Sequence, residues 1–152
     1  MRPRKLYNPI VVAILRSPLH GLMSNSVMLL TYRGRRSGRA FTTPISYVRD
    51  GEDLLAVASR DHAWWRNLRG GAPVRVRLRG RELRGRGTGR LLEGRAGEEG
   101  LLCVLRAVPA YRKHWGVELD GDGRPTDPAA IVRIARENAP VRFDDLTEAR
   151  GR

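Results

Sequence analysis

Residues Val74-Arg75-Val76-Arg77-Leu78-Arg79 alternate apolar and basic side chains without a break. A period of two puts successive side chains on opposite faces of an extended strand. Val74, Val76 and Leu78 therefore form a dry face, and Arg75, Arg77 and Arg79 a wet one. A strand with one dry face needs other strands beside it, and antiparallel sheets are the kind that leave one face in water. The neighbouring sequence supplies them. Residues 27–32 read as a strand ending at Gly34, residues 42–48 as a second and residues 54–58 as a third. Asp50-Gly51 is a turn signal and predicts a hairpin between the last two. Gly80-Arg81 turns the chain after the alternating strand, and residues 82–92 return as a longer strand interrupted by glycines. Successive strands joined by tight turns favour an antiparallel sheet that curls into a barrel.

The rest of the chain is mainly helical in pattern. Residues 1–25 read as a helical segment in two pieces, broken at Ser17-Pro18. No acidic residue precedes Asp50. Two readings of this basic segment stand open: an amphipathic helix on an anionic membrane surface, or a helix whose apolar stripe covers the core. A short helix is expected over 62–69, capped by Asp61. Residues 96–108 form a stronger helix, resumed after Pro109 over 111–117, and Asp127-Pro128 starts another that runs to about Asn138. Residues 141–143 read as a final strand, and the tail at 148–152 as frayed. The expected organisation is one domain over 1–152, with the barrel in 27–92 and the helical part in 96–138.

Composition excludes several function classes. The single cysteine, Cys103, rules out an intramolecular disulfide framework and a cysteine-rich zinc site. His20, His62 and His114 lack metal-ligand spacing, so no metal is expected. The apolar stretch from Pro9 is interrupted by Arg16, well short of a membrane span, and no clean cleavage site follows it; the chain reads as cytoplasmic. There is no Walker loop, dinucleotide fingerprint or Gly-x-Ser-x-Gly elbow. The net charge is +13, and all but two of the 29 basic residues are arginines. Arginine holds phosphate and carboxylate through a planar fork of donors, so anionic partners are expected where arginines are positioned. Nucleic acid is disfavoured, because the 74–79 strand lacks the interleaved aromatics of single-strand binders.

Three segments can carry chemistry. Gly34-Arg35-Arg36-Ser37-Gly38 sits at a strand-to-strand turn, where glycines let backbone N–H groups face an anion and arginines neutralise it. Trp64-Trp65-Arg66-Asn67-Leu68 offers an aromatic wall for a planar ring and a cation for an anion. Tyr111 and His114 are three residues apart, hence on one helical face, and both can donate a proton.

Together these segments resemble the deazaflavin-dependent nitroreductase family. The similarity runs from Leu30-Thr31 through Gly34–Gly38 to Thr43-Pro44, then Tyr47-Val48-Arg49-Asp50-Gly51, Val57-Ala58-Ser59, Trp64–Leu68 and the strand at 74–78, with a weaker echo at 109–115. It implies a mainly β, α+β fold: a split β-barrel of the flavin-reductase or FMN-binding type with flanking helices. It implies use of the reduced deazaflavin coenzyme F-420, with FMN as the alternative, to reduce a small electron-poor acceptor such as a nitro-aromatic or a quinone. By the same resemblance Arg35, Arg36 and Ser37 hold the anionic tail or phosphate, and Thr43 and Pro44 flank the ring. Ser59, Arg60, Trp64, Arg66 and Asn67 finish the phosphate pocket. Tyr111, His114 and Trp115 border the substrate, the first two as proton donors. Pairing of two copies through a sheet face is also implied. The chain has only Arg60-Asp61-His62-Ala63 between Ser59 and Trp64, shorter than the family's usual loop. That feature favours the alternative reading, a barrel that binds a flavin or fatty acid without turnover.

Overall fold

The computed structural model describes residues 27–78 and 83–148. The expected N-terminal helical segment, the turn at Gly80-Arg81 and the tail from 149 lie outside them. Seven strands form one antiparallel sheet: β1 (Val27–Arg33), β2 (Ala40–Ser46), β3 (Val48–Asp50), β4 (Asp53–Ser59), β5 (Ala72–Leu78), β6 (Leu83–Leu91) and β7 (Asn138–Glu148). Their spatial order is β2-β1-β5-β6-β7-β4-β3.

That order forces the sheet to curl. β2 and β3 are the two outer edges, yet Tyr47 alone separates them in the chain. In a flat sheet seven strands would set the edges about 29 Å apart. One intervening residue spans only about 7 Å between its neighbours, so the edges must meet. The expected single strand at 42–48 is thus two strands, and the Asp50-Gly51 hairpin joins β3 to β4 rather than β2 to β4. Tyr47 is 6% exposed, and its side chain enters the core at the crossing. Pro44 is tolerated in β2 because an edge strand has one unpaired side.

The dry face of β5 points inward as the alternation requires. Val74, Val76 and Leu78 join Met28, Leu30, Leu54, Ala56, Ala58, Val141 and Phe143 in the barrel core, while Arg75 and Arg77 are exposed. The last strand is longer than its expected three residues and lies in the middle of the sheet, between β6 and β4. A register shift between Arg86 and Thr88 in its pairing with β6 accompanies Asp145 at φ 54°. Gly87 is required there, because an added Cβ would lie 2.6 Å from the Asp144 carbonyl oxygen.

Helices α1 (Gly94–Ala107), α2 (Pro109–Trp115) and α3 (Ala129–Glu137) follow β6. Pro109 occupies the first turn of α2, and Gly116 ends it at φ 64°, a left-handed cap. Leu101, Leu105, Val117, Ile131 and Ile134 form a second cluster that includes Val57. Val57 alternates with the inward-facing Ala56 and Ala58, so the helices cover the outer side of β4. Between β4 and β5 the expected helix is a short 3-10 turn, Trp64–Leu68. Its N-cap is Ala63, and no side chain caps it, so Asp61 does not serve as predicted.

Candidate functional site

Two places on the molecule gather functional groups, at opposite ends of β4. The first lies past Ser59, where the turn between β1 and β2 meets the 3-10 turn. The basic turn closes on itself. Gly34 N–H donates to the Arg39 carbonyl and Gly38 N–H to the Gly34 carbonyl, both at 2.9 Å. Arg33 donates from its guanidinium to the Gly38 carbonyl at 2.9 Å. Gly38 sits at φ 71°, a conformation that favours glycine. Ser37 Oγ accepts the Arg39 N–H at 3.2 Å, and Arg35 and Arg36 are exposed.

The 3-10 turn is anchored from below. Trp64 and Trp65 are 9% and 3% exposed, and both belong to the barrel core with Leu68. Both rings are packed in the core, so neither forms the open aromatic wall expected of this segment. Instead the Trp65 ring carries three guanidiniums. Arg60, Arg66 and Arg69 stand 5.2, 5.4 and 5.6 Å from its centroid, within cation–π range. Arg60 is further fixed by its Nε donation to the Ala135 carbonyl at 3.0 Å. Arg35 completes the group: its backbone N–H donates to Asn67 Oδ1 at 2.9 Å and its guanidinium to the Arg66 carbonyl at 3.3 Å.

Among the described residues, none of these four guanidiniums has a carboxylate partner; the ion pairs there join Arg142 to Asp50 and Asp53. Like charges held together without compensation cost free energy, and a multiply charged anion relieves it. The arrangement therefore fits the anionic tail of a phosphorylated coenzyme. The structure brings Arg35, Arg60, Arg66 and Asn67 of the expected site residues together, and it adds Arg69, which the sequence did not single out. Arg69 is the C-cap of the 3-10 turn, and a helical reading of 62–69 gives no sign that it shares the Trp65 ring with Arg60 and Arg66.

The other expected site residues fall as follows. Ser59 Oγ accepts the Asp61 N–H at 3.3 Å. Thr43 pairs with the fully buried Leu30 and shares its inward face, whereas Pro44 pairs with Leu29 and faces outward. Only one of the two can line a given face of the sheet. Tyr111 stacks on Trp115 with ring centroids 5.0 Å apart, both packed on the helical cluster. His114 lies 6.2 Å from the Trp115 ring. Among the described residues the ring contacts of this trio are with one another, and the trio sits on α2 rather than on the basic turn.

The second place is an open groove of about 530 Å³ at the Asp53 end of β4, about 20 Å from Ser59 along the strand. Asp50, Glu99, Cys103, Arg106 and Arg142 line it. Arg142 donates to Asp53 at 2.8 Å and to Asp50 at 2.9 Å. Burial, then the Asp50 carboxylate, push the Cys103 thiol above its ordinary range. Only the thiolate is nucleophilic, so alkylation of Cys103 by iodoacetamide at pH 8 should be slower than that of a free thiol. Asp50→Asn should speed it, and mass spectrometry over time reads both rates.

Among the described residues, no helix is long and apolar enough to cross a membrane, and no cluster of His, Cys, Asp and Glu could hold a metal ion. No curated protein matches the chain. Solved structures share the fold. An F420-H2 dependent reductase, FDR-A, is 20% identical with a TM-score of 0.53, over 78% of this chain and 94% of that one. A protein described as a domain-swapped dimer is 17% identical with a TM-score of 0.52, over 88% of this chain and 99% of that one. At such identities the likeness establishes the curled barrel alone. The sequence goes further: the model of the F420H(2)-dependent quinone reductase family matches residues 16–115, a stretch that takes in the basic turn, the tryptophan turn and α2. That match covers well over half of the chain, which therefore belongs to the F420H(2)-dependent quinone reductase family.

Proposed function

We propose that the protein binds the anionic part of F-420 at the junction of the basic turn and the 3-10 turn, and reduces a quinone or nitro-aromatic acceptor. The observation that carries this reading is the cluster of Arg60, Arg66 and Arg69 around Trp65, with Arg35 bonded to the Arg66 carbonyl, all uncompensated by carboxylates among the described residues. Arg36 and Ser37, on the same turn, extend it. When bound, the reduced coenzyme supplies the hydride. The chain supplies charge, orientation and a proton. Arg35, Arg36, Arg66 and Arg69 neutralise phosphate and carboxylate groups, and Thr43, on the inward face of β2, borders the ring. The Tyr111 hydroxyl and the His114 imidazole hold the proton an acceptor needs after it takes a hydride, and Trp115 flanks the acceptor. Two copies of the chain pair; support for a dimer, though not for its mode of pairing, comes from the structural neighbour described as a domain-swapped dimer.

The two halves of the site separate kinetically. Arg36→Ala should weaken F-420 binding about fivefold and leave the fold intact, as expected for one exposed charge. The double variant Tyr111→Phe, His114→Gln should lower kcat with menadione or a nitro-aromatic by about a hundredfold, with F-420 affinity unchanged. Steady-state kinetics and equilibrium titration check both. An unchanged kcat in the double variant removes Tyr111 and His114 from the chemistry.

A further inference from the structure

We propose that Asn67 is a positioning residue: its amide latches the basic turn to the 3-10 turn and so fixes where Arg35 presents its guanidinium to the coenzyme's anionic groups. The inference rests on the proposed placement of F-420 at this junction, and it revises the role that the family resemblance implies for Asn67.

Every polar atom of the Asn67 amide is already used. Oδ1 accepts the Arg35 N–H at 2.9 Å. Nδ2 donates to the carbonyls of Ala63 and Trp64 at 3.4 and 3.2 Å. The orientation of the amide is dictated by its partners, an N–H on one side and two carbonyls on the other. An anion needs donors, and the two donors of Asn67 face backbone oxygens. What remains is a lone pair on Oδ1, of the wrong polarity for phosphate or carboxylate. Asn67 is thus unsuited to touch the coenzyme's tail.

It is well placed to hold what does. Arg35 and Asn67 lie 32 residues apart in sequence. The basic turn otherwise bonds to itself, through Gly34, Gly38 and Arg33. Among the described residues, the hydrogen bonds that cross to the 3-10 turn are the two made by Arg35, to Asn67 Oδ1 and to the Arg66 carbonyl. The first ties the Arg35 backbone; the second holds its guanidinium on the backbone of the 3-10 turn that carries Arg66. A turn with a glycine at each end has conformational freedom to lose on binding, and a latch made in the free protein removes that loss beforehand.

A double-mutant cycle on F-420 affinity tests this. Asn67→Ala and Arg35→Ala are each expected to raise Kd about tenfold, and the double variant to bind no worse than Arg35→Ala alone. Thermal unfolding confirms that each variant is folded, and Asn67→Ser replaces Asn67→Ala in the cycle if the latter is not. Salt gives a second readout. Asn67→Ala keeps the wild-type fall of affinity with ionic strength because no charge is lost, whereas Arg35→Ala flattens it. Additive losses of about a hundredfold in the double variant, or wild-type affinity in Asn67→Ala while Arg35→Ala binds weakly, would overturn the latch. Wild-type affinity in Arg35→Ala would instead overturn the placement of the coenzyme at this turn, and the latch with it.

Discussion

Phe143→Ala should lower the stability of the protein by about 3–5 kcal/mol, the range expected for emptying a fully buried aromatic site. Phe143 is 0% exposed and heads the fully buried side chains by volume. It sits on β7 opposite Leu54 of β4 and Gly89 of β6, in the centre of the sheet. The ring occupies room that no other group can fill. A Cβ built on Gly89 would lie 3.1 Å from Phe143 Cε1, 3.0 Å from Leu68 Cδ1 and 3.1 Å from Val74 Cγ1. Gly89 is therefore bare because the ring needs its space, and removing the ring leaves a cavity bounded by three strands and the 3-10 turn. For a chain of this length the loss corresponds to a fall in Tm of about 10 °C. Arg75→Ala, on the exposed face of β5, should change stability by no more than about 0.5 kcal/mol. Thermal unfolding of both variants checks the assignment of inside and outside. Near-equal melting temperatures would contradict it.

Arg66→Gln combined with Arg69→Gln should weaken F-420 binding about a hundredfold while leaving Tm nearly unchanged. Each substitution removes one charge-assisted contact, worth about 1.4 kcal/mol, or a factor of ten, at this partly exposed position. Neither side chain holds up the fold: both are exposed and rest on a ring that is buried by the core beneath it. Arg60 is deliberately spared. Its Nε bonds the Ala135 carbonyl, so its loss would mix a stability effect into the binding one. Glutamine keeps much of the stem that covers Trp65 and removes only the charge. Isothermal titration at two salt concentrations gives both quantities needed. The wild-type affinity should fall with salt, and the double variant's should fall less. An unchanged Kd in the variant would remove Arg66 and Arg69 from the coenzyme site.

Where the fold was legible in the sequence, one periodicity carried it. Val74 to Leu78 alternates because one face is dry, and that face is where the alternation places it. β7 was harder. Pro140, Arg142, Asp144 and Asp145 give it the composition of a loop, yet it is the strand between β6 and β4. Its polar side chains have tertiary reasons: Arg142 faces Asp50 and Asp53 across the sheet, and Asp145 sits at an irregularity in the pairing. The split at Tyr47 was equally hidden, because a strand that changes sheet edges keeps its β pattern throughout. Only the closure of the barrel reveals the change.

The site divides along the same line. Glycine spacing and paired arginines marked the basic turn, because local conformation and charge are written locally. The platform under Arg60, Arg66 and Arg69 was not marked. The sequence offers two adjacent tryptophans as an aromatic wall, and only the folded chain shows both in the core with Arg60, Arg66 and Arg69 over one ring. The partnership of Arg35 with Asn67 spans the fold and has no local signature at all.

Titration of the folded protein with F-420 and, separately, with FMN, followed by tryptophan fluorescence, tests whether the arginines on Trp65 hold the coenzyme. Trp65 underlies the proposed anion site, so ligand bound there should quench its emission. Saturable quenching by F-420 at about micromolar concentration is expected, weakened by salt and nearly lost in the Arg66→Gln, Arg69→Gln variant, with little response to FMN. Absence of saturable F-420 quenching in folded protein, or equal quenching in the wild type and the variant, would contradict it.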